Sequence, residues 1–410
     1  MSVPNSPAAI HLSSAEVAAP ADDRFHRFGL IGWWDQTKLR QAKALVVGAG
    51  ALGNEIVKNL ALLGWGNVLI ADLDRIENSN LSRSVLYREA DCGASKAQTA
   101  TSAAQAIYPG MHAHAFEGNV VYDLGLGVFR WADVVFGGLD NREARLAINR
   151  NCWKLGRPWI DGAIEQIQGV ARVFVPDGPC YECTMSDRDW QLLQQRRSCN
   201  LLSRAEMEHG KTPTTPTISS IIAGVQCQEA VKLLHGLPTI QGKGWVFDGL
   251  SSDSYLVEYQ RKAECYSHDP IDEIVSLPYT SHEITLARLF YEARQRLGEN
   301  VTLEFARDML EKLVCPVCHR EEPLFTSLGK VAGEQVLCPR CAGVRREVVT
   351  FYKVRGDESF LNRSLHDLGV PPLDIVIARS GHRCLGFEIS GDAPQVLGPL
   401  VASEEEVQWT

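Results

Sequence analysis

The chain contains no apolar run approaching the roughly 18 residues needed to cross a bilayer, so neither a membrane span nor a membrane partner is expected. Nor does positive charge predominate. Against 41 Lys and Arg stand 50 Asp and Glu in 410 residues, a net charge of −9, which leaves no basic footprint for nucleic acid. The opening MSVPNSPAAIHLSSAEVAAPADD lacks the basic start and the sustained apolar stretch of an export signal. Its Ala, Ser and Pro content predicts a poorly ordered leader over residues 1–21. Twelve cysteines are present, but a disulfide framework is not expected. They fall largely in C-x-x-C pairs in a large chain without an export signal, which fits metal ligation in a reducing cytoplasm. At 45% hydrophobic and 22% charged, the chain reads as an ordinary globular protein of two or three domains.

The most informative stretch is residues 44–83, ALVVGAGALGNEIVKNLALLGWGNVLIADLDRIENSNLSR. Ala44 to Val47 suit a short buried parallel strand, and Gly48, Gly50 and Gly53 follow in a G-x-G-x-x-G turn. Glycines at this spacing let the backbone approach a phosphate and let the helix from Ala51 pack on the sheet with its positive end toward the anion. A second apolar run, Asn67 to Ala71, ends in Asp72, 19 residues past Gly53 and near the position where a carboxylate bonds a ribose hydroxyl. Asp74, Asn80, Arg83 and Lys96 come next, then Asp140 after the apolar ADVVFGG. Hydride transfer needs no such set of cations and amides beside the phosphates. Displacement at phosphorus needs charge stabilisation and a carboxylate for Mg²⁺, so the set favours ATP. From residue 44 to about 165 strand and helix patterns alternate, with helices over 95–107 and 142–154, which predicts a largely parallel sheet with helices on both faces. The ligand of such a sheet lies beyond the carboxyl ends of the strands, where Gly48, Asp72 and Asp140 fall.

RFHRF (24–28), VVGAGALG (46–53), DLDRIENSNLSR (72–83), GASKAQ (93–98), DNREARLAIN (140–149) and TTPTISSIIAGVQCQEAVKLL (214–234) occur in this order. The series resembles the ThiF/MoeB/HesA family, which includes the adenylation domains of ubiquitin-activating enzymes, over residues 22–270. The resemblance implies an α/β fold with a Rossmann-like doubly wound sheet and an ATP-dependent adenylyltransferase. Asp72 would then hold the ribose, with Asp74 beside it; Asn80, Arg83 and Lys96 would contact the triphosphate, and Asp140 would hold Mg²⁺. It implies a homodimer, because the second arginine of RFHRF, Arg27 here, reaches the phosphates of the partner subunit. The attacking group is implied to be the C-terminal glycine carboxylate of a ubiquitin-like β-grasp protein. Ser84 departs from the glutamine that many members carry after the arginine, which bears on substrate positioning rather than on the charged contacts.

Two zinc sites are expected. Cys180 and Cys183 in GPCYECTM supply half of a tetrahedral set, and Cys265 and His268 in AECYSH repeat the two-residue gap after a pair of apparent strands. The family usually has a second C-x-x-C there, and His268 replaces its last cysteine. Cys315, Cys318, Cys338 and Cys341 match C-x₂-C-x₁₅₋₂₀-C-x₂-C, a zinc ribbon over about 312–345. The ribbon lies in an extension, residues 271–410, that the resemblance does not cover. Within it HEITLARLFYEARQRLG (282–298) is helical in pattern, VTLEFARDMLEKLV follows, and EVVTFYKV and LDIVIARSGHRCLGFEIS read as short strands.

Seven cysteines go to metal, leaving Cys92, Cys152, Cys199, Cys227 and Cys384. Cys199 lies in a polar stretch beside Arg196 and Arg197, which favour its thiolate, and the family runs a mobile segment over the crevice here. It is the expected thioester nucleophile, with Cys92, near Lys96, as runner-up. The leading expectation is activation of a ubiquitin-like protein for conjugation, with transfer to a cysteine and a conjugating enzyme downstream. Sulfur-carrier activation for thiamine or molybdenum-cofactor synthesis is the close alternative; no rhodanese-like domain is evident, and that chemistry does not need a zinc ribbon. A non-catalytic scaffold is the third reading, and the retained Arg27, Asn80, Arg83, Lys96 and Asp140 argue against it. A dehydrogenase is a remote fourth.

Overall fold

Residues 23–191, 213–331, 333–341 and 343–401 are described by a computed structural model. Strand β1 (Lys43–Val47) runs through the centre of the larger of two sheets. It is buried on both faces: Ala44 and Val46 enter one apolar cluster, Leu45 and Val47 the other. A strand covered on both sides has no reason to alternate apolar with polar residues, hence the unbroken apolar run. The neighbouring β2 (Asn67–Asp72) and β4 (Val134–Gly137) divide their residues in the same way, Val68, Ile70 and Phe136 to one cluster, Leu69 and Val135 to the other.

With β3 (His112–Glu117), β5 (Trp159–Glu165), β6 (Gln168–Phe174), β7 (Lys243–Asp248) and β8 (Asp253–Glu258), the sheet has eight strands in the order β3-β2-β1-β4-β5-β6-β7-β8. β1 to β5 pair in parallel, as the alternation of strands and helices predicts. From β6 onward the pairing is antiparallel, which adds a second half to the sheet. Helices α1 (Gln36–Gln41), α2 (Ala51–Leu63), α3 (Lys96–Ile107), α4 (Leu126–Trp131) and α5 (Arg142–Lys154) precede the short α6 (Tyr181–Thr184) and the long α7 (Pro216–Leu234). α2, α3 and α7 bury apolar residues in the first cluster, α4 and α5 in the second. Two-sided cover of a sheet whose order reverses between β1 and β4 defines a doubly wound α/β domain, with its crevice at that reversal.

The second unit is a six-stranded sheet. β9 (Glu273–Leu277) pairs in parallel with β14 (Arg383–Ile389), and the order β11-β10-β13-β14-β9 carries β12 (Glu347–Val354) on β10. β10 (Thr302–Val314) is a 13-residue strand, although it is as rich in leucine and charged residues as the helix before it, α8 (Leu286–Leu297). Burial explains the difference. Leu303, Phe305, Arg307 and Met309 point inward at a spacing of two, and pairing with β11 (Glu321–Ser327), β12 and β13 (Ile375–Ser380) overrides helix propensity. The expected zinc ribbon is built on β10, β11 and β12, and so is continuous with this sheet.

The two units share a core. Leu373, Val396, Leu397 and Leu400 belong to the same buried cluster as Leu124, Val128 and Phe129. Polar contacts fix the register there: Gly127 N donates to Leu373 O at 2.9 Å, and Asp374 Oδ1 accepts from Leu126 N at 2.8 Å. Arg307 closes the junction, donating to Leu124 O at 3.2 Å while pairing with Asp374 at 3.2 Å. Both side chains are almost fully buried. Removing one partner of such a pair leaves the other charged and desolvated. Asp374→Ala is therefore expected to destabilise the protein by about 3–5 kcal/mol, read as a lower urea midpoint; a midpoint within error of the parent would show that the junction carries no such pair.

Candidate nucleotide site and metal centres

The turn after β1 has almost no free volume. Gly48 takes φ +92°, and a Cβ there would lie 2.5 Å from Gly138 O. A Cβ on Gly53 would lie 1.8 Å from Gly48 O, so α2 can begin this close to the strand end only with glycine at both positions. On Gly50 a Cβ would meet nothing within 4 Å, so that side of the turn is open to a ligand. Gly48 N donates to Ala71 O and Gly138 N to Val47 O, each at 2.8 Å, which draws the ends of β1, β2 and β4 together. A bare backbone turn at a helix N-terminus is the cradle that phosphates require.

Around this turn the structure brings together Asp72, Asp74 and Lys96. Asp72 Oδ2 accepts from Ala49 N at 2.6 Å, and its Oδ1 from Asp74 N at 2.7 Å. Burial pushes its carboxyl above the usual carboxylate range, opposed by the Lys96 ammonium and those two N–H groups. Each oxygen keeps a lone pair for a ribose hydroxyl. Lys96 pairs with Asp74 at 2.9 Å, and its backbone N donates to Asp74 O, so the two are held as a unit beside Asp72. Asn80 and Arg83 stand in the polar turns that follow; the Asn80 amide oxygen accepts from Glu77 N at 2.9 Å, and Arg83 Nη1 donates to Ser79 O at 2.9 Å. Asp140 is exposed in the turn after β4, directly before Asn141, whose side chain caps α5 by accepting from Ala144 N at 2.8 Å. Arg27 lies exposed on the single turn His26–Leu30. No side-chain contact ties it to this crevice among the described residues.

Four further residues shape the site and were not legible beforehand. Tyr87 donates its hydroxyl to Ala49 O at 2.6 Å and to Lys96 O at 3.1 Å, and burial raises its pKa, keeping it a phenol. Asn54 donates to the same Ala49 O and accepts from Leu86 N at 2.9 Å, tying the glycine turn to the loop before Lys96. Under the Asp140 turn lies Asp161, which is fully buried and holds Arg145 at 3.0 Å and Arg172 at 2.5 Å. Arg145 also donates to Leu139 O and Gly162 O, clamping the peptide beside Asp140. Arg145 falls inside DNREARLAIN, but an arginine on a helix ordinarily reads as solvent-exposed, and only its burial reveals this task.

Both expected metal sets converge. The ligand atoms of Cys180, Cys183, Cys265 and His268 lie within 4.8 Å of one another, as do those of Cys315, Cys318, Cys338 and Cys341. Cys180 Sγ is 3.7 Å from Cys183 Sγ and 3.6 Å from Cys265 Sγ, and Cys183 Sγ is 3.5 Å from His268 Nε2. A tetrahedral ion with metal–sulfur bonds of about 2.3 Å has ligand edges of about 3.7 Å, so the first set fits zinc. In the second set Cys318 Sγ is 3.7 Å from Cys338 Sγ, and the N–H of Cys318 donates to Cys315 Sγ at 3.5 Å. That donor holds the Cys315 thiol down at about 6, toward the thiolate a metal needs.

Of the remaining cysteines, Cys152, Cys227 and Cys384 are buried. Burial raises the pKa of Cys152 and Cys384 and pushes that of Cys227 up to about 12. Cys92 is exposed. Cys199 lies outside the described residues, as does the leader over 1–21.

A doubly wound sheet with a bare glycine turn, a carboxylate bonded to that turn and an aspartate after β4 defines a nucleotide-binding α/β enzyme of the adenylating class. Residues 23–267 match the model of the ThiF family, and the chain belongs to that family. It is 28% identical over 270 residues to the SAMP-activating enzyme E1 of Haloferax volcanii, covering 63% of this chain and 93% of the relative. It is 36% identical over 259 residues to the sulfur carrier protein adenylyltransferase of Thermus thermophilus, covering 59% and 89%. Among solved structures it is similar in fold to E. coli MccB crystallised with ATP, with a TM-score of 0.51 at 21% identity over 60% of this chain and 74% of that one.

Because a methyl group at position 53 has no space, Gly53→Ala must open the turn. ATP binding measured by calorimetry is expected to weaken at least tenfold while the circular dichroism spectrum is retained; unchanged affinity would remove the turn from the nucleotide site.

Proposed function

We propose that the chain is an ATP-dependent adenylyltransferase that activates the C-terminal glycine of a ubiquitin-like protein. The observation that carries this reading is the convergence of the glycine turn, Asp72, the Asp74–Lys96 pair and the Arg145-clamped Asp140 turn on one crevice. In the reaction a carboxylate oxygen of the partner attacks the α-phosphorus of ATP. The bond to the bridging oxygen breaks, pyrophosphate leaves with its electron pair, and a mixed anhydride, the acyl-adenylate, remains. Asp72 would hold the ribose, Asn80, Arg83 and Lys96 would neutralise the phosphate charge, and Asp140 would hold Mg²⁺, which supplies further charge neutralisation when bound. Lys96 exchanges its Asp74 contact for phosphate, a modest cost because the Asp74 carboxylate is largely exposed. Arg27 is supplied by the partner copy of a homodimer, in keeping with its exposed position outside this chain's own crevice. Zinc in both cysteine sets is structural.

The names of the relatives divide between an activating enzyme and a sulfur carrier adenylyltransferase. Both readings begin with the same adenylate. We favour conjugation, in which the Cys199 thiolate attacks the anhydride carbonyl, AMP leaves, and a thioester forms for passage to a conjugating enzyme. The burial of Cys152, Cys227 and Cys384 supports this by leaving Cys92 as the one exposed alternative outside the metal sets among the described residues.

Exchange of labelled pyrophosphate into ATP is expected only with a partner ending in a free glycine. Asp140→Ala should reduce the exchange by at least a hundredfold; full exchange in that variant would exclude Asp140 from metal binding. Cys199→Ala should keep the exchange yet lose a reductant-sensitive adduct with the partner on a non-reducing gel. An adduct that survives in Cys199→Ala and disappears in Cys92→Ala would move the nucleophile to Cys92.

A further inference from the structure

Helix α5 carries one unusual stripe. Arg145, Asn149 and Trp153 follow one another at intervals of four, and so lie on one face. Arg145, at the upper end, clamps Leu139 O and Gly162 O beside Asp140. Asn149, one turn on, is 2% exposed and uses both ends of its amide. Its oxygen accepts from Tyr181 N at 2.8 Å, inside the Cys180–Cys183 loop, and its nitrogen donates to Ser267 Oγ at 2.9 Å, between Cys265 and His268. Ser267 in turn donates its hydroxyl to Glu182 Oε2 at 2.5 Å, and Arg150 reaches the same carboxylate at 3.3 Å. Trp153, one turn further, stacks on the His268 ring at 4.0 Å. The halves of the first metal set are thus bolted separately to one helix, and the residues that do it are neither metal ligands nor nucleotide contacts.

We infer that Asn149 is a positioning residue that joins the first metal centre to the catalytic turn. Its single amide holds the Cys180–Cys183 loop and the Cys265–His268 loop at the mutual distance the ion needs. In return, the closed metal site holds the lower half of α5, so that Arg145 keeps the Asp140 peptide in place. A partner shell of this kind orients ligands and is worth tenfold or more in metal affinity. The inference rests on zinc occupying the first set, which the experiment checks separately.

Full-length protein is loaded with zinc, and release to a chromogenic chelator is followed together with hydrogen exchange of the peptide spanning residues 138–150. The parent should hold two zinc ions; one or none would overturn the zinc reading itself, before the variants are compared. In Asn149→Ala, and in Ser267→Ala, which removes the bridge with less disturbance of α5, one zinc should leave at least tenfold faster. The other, from the Cys315 set, should leave at the parental rate and so serves as an internal control for folding. Exchange over 138–150 should quicken in the same variants. Two parental release rates in Ser267→Ala would overturn the role of the bridge, and faster release with unchanged exchange over 138–150 would overturn the link to Asp140.

Discussion

The contact between Gly48 and Gly53 leaves less space than a methyl group requires, and much of the catalytic domain follows from it. Because α2 starts against the end of β1, its N-terminal backbone amides face the crevice rather than solvent. The same closeness places Gly138 against the turn, so that the strand leading to Asp140 must end where the strand bearing Asp72 ends. Asp72 and Asp140, 68 positions apart in the chain, are brought to one cleft by backbone packing. No side-chain attraction between them is required, and none would be favourable between two carboxylates.

Charge is then placed where water is absent. Asp161 lies fully buried between Arg145 and Arg172, an arrangement whose Coulombic gain is largely offset by desolvation. Its value lies in geometry: Arg145 has five N–H donors in a fixed plane, and they meet a carboxylate and a carbonyl of β5 and a carbonyl of the turn after β4. An apolar replacement would fill the space yet leave Leu139 O and Gly162 O unpaired. Gln226 of α7 acts likewise from the opposite face, donating to Gly137 O at 3.0 Å and Ile160 O at 3.1 Å. The Asp140 turn is thereby gripped from both layers of helices.

The two metal sets solve different problems. Cys180 and Cys265 are 85 residues apart, and an ion in the first set would close a long loop whose ends otherwise separate at considerable entropic gain. Cys318 and Cys338 are 20 apart, and the second set gathers the ends of three strands that already pair. The C-terminal unit is docked through a common apolar cluster and the Arg307–Asp374 pair, so its position relative to the nucleotide crevice is fixed by burial.

The sequence by itself determined what depends on near neighbours and on spacing. Both-face burial wrote unbroken apolar runs into β1, β2 and β4; the glycine turn, the helix bounds of α3 and α5, and each C-x-x-C pair follow from residues a few positions apart. Asp72 and Lys96 stand out in the sequence because one closes a strand and the other opens a helix, while Asp74 and Asp140 stand in the loops just after β2 and β4. Tertiary structure alone decided the rest. That 302–314 is a strand depended on partners up to 77 residues away, whose pairing outweighs local propensity. That Arg145 is a clamp and Asn149 a bridge depended on burial, since the same side chains on an exposed helix face would simply be solvated. Local pattern encodes which backbone is formed, whereas the work of a polar side chain is set by what excludes water from it, and that comes from segments distant in the chain.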